Sequence, residues 1–130
     1  MPRILVVEDE AVIRALLCNV LSAAGHDVRA AGDPDEAMQL CDSGGFDLVL
    51  SDIVMPGIDG HELARRLALL CPRTRVILMS GFDPGCDSCP YIPRCELISK
   101  PFGSRQLVEF VSKVLSKPPP RVTAAGGPTD

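Results

Sequence analysis

Short apolar runs that end in polar residues recur along this chain. Ile4-Leu5-Val6-Val7 leads into Glu8 and Asp9, and Leu48-Val49-Leu50-Ser51 leads into Asp52. Val76-Ile77-Leu78-Met79 leads into Ser80, and Leu97-Ile98-Ser99 into Lys100. With a further β-rich stretch, the pattern predicts strands at 4–7, 28–31, 48–51, 76–79 and 97–99. The first, third and fourth are almost continuously apolar, as expected of strands covered on both faces. Helical patterns alternate with them, which is the mark of βα units on a parallel sheet.

The first helix is predicted over about 11–24, with Ile13, Leu16, Leu17, Val20, Leu21 and Ala24 recurring at helical spacing and Gly25 as its stop. The second opens on Asp33-Pro34-Asp35-Glu36: a cap, a proline at the first helical position, and an acid three residues after the cap. The third opens on Asp59-Gly60-His61-Glu62 and buries Leu63, Leu67 and Leu70. The last covers about 104–115, with Leu107, Val111, Val114 and Leu115 inward.

Between the fourth and fifth strands the pattern breaks. Three prolines and a glycine fall within 83–94, so the helix due there is expected to be short or absent. From Lys117 the chain runs through Pro118-Pro119-Pro120 into small and polar residues, a composition that predicts disorder. One domain over 1–116 and a tail over 117–130 are therefore expected.

A chain of 130 residues, 46% of them apolar, can bury a sizeable core. Its net charge of −4 and lack of a basic stripe argue against nucleic-acid binding. The apolar run after Met1-Pro2-Arg3 is too short for a signal peptide, and no run could span a bilayer. The expected location is the cytoplasm, with most of the six cysteines as reduced thiols. Cys18, Cys41 and Cys71 fall on or next to helices and read as core or helix-end residues. Cys86-x-x-Cys89 and Cys95 could offer three zinc ligands or a redox pair, or they could be small apolar fillers.

If the runs are parallel strands, their polar ends gather at the carboxyl edge, where open α/β sheets hold their sites. Glu8, Asp9 and Asp52 would form a hard, oxygen-rich cluster suited to Mg²⁺, which relieves the repulsion of crowded carboxylates. The plainer alternative is that Glu8, Asp9 and Glu10 cap the first helix. Asp52 could accept a phosphoryl group as a carboxylate nucleophile, or simply form a turn. Ser80 could donate to a phosphoryl oxygen or simply open a turn, and Lys100 could pair first with the carboxylate and then with that group or stand solvated at its strand end. The general preference of X-Pro bonds would make Lys100-Pro101 trans.

Together these residues resemble the receiver domain of two-component response regulators. The resemblance rests on Ile4-Leu5-Val6-Val7-Glu8-Asp9-Glu10, Phe46-Asp47-Leu48-Val49-Leu50-Ser51-Asp52, Met55-Pro56-Gly57-Ile58-Asp59-Gly60, Met79-Ser80-Gly81 and Lys100-Pro101-Phe102, over about residues 3–115. It implies a flavodoxin-like, doubly wound, five-stranded parallel sheet of order 2-1-3-4-5. Asp52 would be the phosphoacceptor, Ser80 the switch hydroxyl and Lys100 the partner lysine. Asp9 would bind Mg²⁺ directly, Glu8 through water, and the Val54 carbonyl would be a further ligand beside Asp52. The Lys100-Pro101 bond would be cis.

The resemblance further implies a phosphohistidine donor, either a histidine kinase or a histidine phosphotransfer protein. Output would be through a downstream protein target, by a non-enzymatic, stand-alone receiver that is a monomer or weak dimer. Two departures stand out. Leu97 occupies the place where the family usually has an aromatic residue, and the Pro/Cys segment replaces the fourth helix, as in receivers of hybrid histidine kinases. Signalling is then expected through loop ordering or another face, and apolar Val54 and Phe82 are expected to slow hydrolysis of the phosphoryl group. The runner-up is a phosphorylation-independent adaptor. A haloacid-dehalogenase-like phosphatase would want a second Asp where Val54 stands, and FMN phosphate would be repelled by Glu8-Asp9-Glu10.

Overall fold

The computed structural model describes residues 2–53, 60–71, 73–80 and 95–117. Five strands, β1 (Arg3–Val7), β2 (Asp27–Ala31), β3 (Leu48–Asp52), β4 (Arg75–Ser80) and β5 (Cys95–Ser99), pair in parallel in the order β2-β1-β3-β4-β5. Four helices are described: α1 (Ala11–Ala23), α2 (Pro34–Ser43), α3 (Gly60–Leu70) and α4 (Ser104–Leu115).

Successive strand residues face opposite sides of the sheet, so each apolar run feeds two cores. Leu5, Val7, Val49 and Leu78 pack with Ala37 and Cys41 of α2 and Leu63, Ala64 and Leu67 of α3. Ile4, Val6, Leu48, Leu50, Ile77 and Met79 pack with Leu17 and Leu21 of α1 and Leu107, Val111 and Val114 of α4. A run buried on both faces cannot alternate with polar residues, which is why β1 and β3 read as continuous apolar stretches.

Local signals set the helix ends. The Asp33 carboxylate accepts from the Glu36 amide at 2.8 Å, capping α2, and Glu36 reaches back to the Gly32 amide at 3.0 Å. Beyond α1, Gly25 takes a φ of 97°. There the Gly25 and His26 amides donate to the carbonyls of Ser22 and Leu21, closing the helix in the left-handed turn that glycine adopts without strain.

Several expectations are corrected. Ile13 and Leu16 are 37% and 58% exposed, and Leu70 is 41% exposed, so none of the three is a core residue. α1 meets the sheet along a narrower stripe than its apolar pattern suggests, and Leu70 is the last residue of α3. β5 begins at Cys95, ahead of the predicted start, with Cys95 and Glu96 paired to Val76 and Ile77 of β4. The segment 81–94, with its expected short or absent helix, and the tail beyond 117 lie outside the described residues.

At the amino edge of the sheet the chain is pinned after α4. The Arg75 guanidinium donates to the Lys117 carbonyl, and Lys117 Nζ pairs with Glu96 at 2.7 Å. Among the described residues no helix is long and apolar enough to cross a membrane.

Candidate functional site

β1 and β3 lie side by side, with Val7 opposite Ser51, so Glu8, Asp9 and Asp52 emerge together at the carboxyl edge. Each offers a carboxylate oxygen within 4.8 Å of the others. Asp52 is the last residue of β3 and is almost buried, and Asp9 is exposed.

Glu8 is fully buried. One of its oxygens, Oε2, accepts from the Glu10 amide at 3.1 Å, while Oε1 is buried without a hydrogen-bond partner among the described residues. Burial raises the Glu8 pKa above the usual carboxylate value, and the charge of Asp52 adds to the rise; the Glu10 amide and Lys100 oppose it. An orphaned carboxylate oxygen beside two further carboxylates is the donor set that a hard cation completes. Glu10 is the N-cap of α1 but makes no side-chain cap bond, and α1 has no acid in its first turn.

Lys100 follows β5 and crosses to the phosphoacceptor candidate, with Nζ 3.3 Å from Asp52 Oδ2. Its peptide bond to Pro101 is cis. The general preference for trans therefore does not hold at this bond, and the resemblance had implied cis. Ser80 ends β4 one position beyond Met79, the residue paired with Asp52, and itself pairs with Ser99. The Ser80 side chain, Val54, Phe82, and Cys86 with Cys89 lie outside the described residues, as does the Cys95 side chain. Leu97 is 37% exposed on β5, opposite Leu78. Cys18, Cys41 and Cys71 carry free thiols, and the Cys71 thiol donates to the Cys41 carbonyl at 3.5 Å.

Two contacts were not legible in sequence. The Ser51 hydroxyl donates to the Asp52 carbonyl at 2.9 Å, and Arg14 Nη1 donates to the Glu8 carbonyl at 2.7 Å. Nothing in the local pattern distinguishes Arg14 from any other charged residue on a half-exposed helix.

Comparison with known proteins agrees with this geometry. Residues 4–112 match the response regulator receiver domain. The response regulator receiver protein CpdR of Brucella abortus is 36% identical over 121 residues, covering 88% of this chain and 98% of CpdR. Several longer curated relatives match as well, and the chain spans only 27% and 26% of the length of two of them. Among solved structures, the receiver domain of the hybrid histidine kinase CckA is 33% identical with a TM-score of 0.75, covering 88% of this chain and 99% of that one. The response regulator TrrA of Thermotoga maritima, in complex with Mg(2+)-BeF, is 36% identical with a TM-score of 0.79 and the same coverage.

Proposed function

Because the chain belongs to the response regulator receiver family, we propose that it accepts a phosphoryl group on Asp52 from the phosphohistidine of a histidine kinase or histidine phosphotransfer protein. The observation that carries this reading is the convergence on Asp52 of two further carboxylates and the Lys100 ammonium.

Glu8, Asp9 and Asp52, with the Val54 carbonyl, would hold Mg²⁺. The unpartnered Glu8 oxygen and the three-carboxylate donor set fit such an ion. When bound, it supplies charge neutralisation for the phosphoryl oxygens.

An oxygen of Asp52 attacks phosphorus, the P–N bond breaks, and its electron pair stays on the donor imidazole, which takes up a proton. An acyl phosphate remains on Asp52. Lys100 moves from the carboxylate to the incoming phosphoryl oxygens, and Ser80 donates to one of them. The protein turns over no substrate of its own. It signals by binding a protein target or by passing the phosphoryl group on, in the cytoplasm, as a monomer or weak dimer. Leu97 supplies no aromatic readout, so the signal leaves through loop ordering or another face.

Incubation with Mg²⁺ and acetyl phosphate, followed by intact mass measurement, tests the reading. A phosphoryl-sized gain on the wild type that is missing from Asp52→Asn supports it. No gain from either acetyl phosphate or a phosphohistidine donor overturns it in favour of a phosphorylation-independent adaptor.

A further inference from the structure

The acidic loop between β1 and α1 is held from outside by a residue that belongs to neither the acids nor the phosphoryl site. Arg14 sits one turn into α1, where its own amide donates to the Glu10 carbonyl at 2.8 Å. Its side chain turns back, and Nη1 donates to the Glu8 carbonyl at 2.7 Å. That carbonyl belongs to the peptide unit from which Asp9 projects. The same end of the guanidinium also lies against Gly32, in the turn between β2 and α2. A Cβ at Gly32 would come within 3.2 Å of Nη1, so the absent side chain leaves the space that Arg14 occupies. Gly32 is itself fixed through its amide by Glu36. The Glu8 amide donates to the Ala31 carbonyl at 3.1 Å, so the 8–9 segment is held at both ends of one residue.

We propose that Arg14 is a positioning residue for the cation site. It fixes the Glu8–Asp9 peptide unit and thereby aims both carboxylates at the position of a divalent cation. The inference rests on the Mg²⁺ site proposed above. A group that orients ligands without touching the ion changes affinity by about ten-fold or more when removed. The sign is diagnostic. As a mere countercharge, Arg14 would repel Mg²⁺, and its removal would tighten binding; as a positioning group, its removal weakens binding.

The test is calorimetric titration of Mg²⁺ into the wild type, Arg14→Ala and Arg14→Lys, with thermal midpoints measured in the absence of the ion. Expected are binding weakened about ten-fold in Arg14→Ala, partial recovery in Arg14→Lys, which keeps a donor, and all three chains folded. Equal or tighter binding by Arg14→Ala, or no recovery in Arg14→Lys, overturns the inference. A wild type that binds no Mg²⁺ defeats the proposed site itself, an outcome distinct from both.

Discussion

Lys100 Nζ lies 3.3 Å from Asp52 Oδ2, joining two residues 48 positions apart in sequence. Neither strand end would bring them together alone. β3 and β5 are separated by β4, and the lysine side chain spans that strand's width to reach the carboxylate. With the lysine 32% and the carboxylate 12% exposed, water screens the pair only in part. Lys100→Ala is expected to slow phosphoryl uptake on Asp52 by about 10²-fold, the usual cost of deleting one group that stabilises developing charge. Time-resolved intact mass with acetyl phosphate would measure it; an unchanged rate would remove Lys100 from the transfer step.

Glu8 carries a different expectation. Its carboxylate is buried beside two others, with one oxygen unpartnered among the described residues. Glu8→Gln keeps the shape and removes one charge from the cluster. Thermal unfolding without Mg²⁺ should therefore shift upward in the variant. The stabilisation by Mg²⁺, about 2.7 kcal/mol for a site at about a hundred times Kd, should shrink. A variant that gains as much from Mg²⁺ as the wild type would show that Glu8 takes no part in holding the ion.

Alkaline pH should expose the α2–α3 seam. Burial pushes the Cys41 thiol up to about 12 from an ordinary 9.0, and the adjacent Cys71 thiol adds to the rise. The fold favours the protonated thiol, so its stabilising contribution is complete below pH 9.0 and is lost as pH rises toward about 12. Urea midpoints compared at about pH 8 and about pH 10 should fall more for the wild type than for Cys41→Ala. Equal falls would refute the linkage.

The two apolar classes of the helices separate by truncation. Leu67 is fully buried, whereas Leu16 is 58% exposed although both sit at regular helical spacing. Leu67→Ala is expected to cost about 3 kcal/mol in urea unfolding and Leu16→Ala less than about 0.5 kcal/mol. Similar losses at both positions would mean that α1 buries the wider stripe its sequence suggests.

The sheet was legible because β1 and β3 are covered on both sides, so no polar residue interrupts Ile4 to Val7 or Leu48 to Leu50. Strand ends were less so. Asp52, Ser80 and Glu96 belong to the ladder, but a polar side chain near a strand terminus looks like part of a loop. Helix faces were overdrawn at Ile13, Leu16 and Leu70, since a 3.6-residue period marks an apolar stripe without its contact width. For Glu8, the same residue type fits a helix cap or a cation site, and only its burial and its bond from the Glu10 amide separate the two. Arg14 was illegible because its partner is a backbone carbonyl, which leaves no mark on sequence.

The clasp of Arg75 and Glu96 on Lys117 stands at the end of the sheet opposite Asp52. Any cargo tethered after Lys117 therefore departs from the pole farthest from the acids. A fluorophore, an affinity handle or a surface linker placed there leaves the approach to Asp52 clear. Immobilised protein would present the edge that carries Asp52 outward.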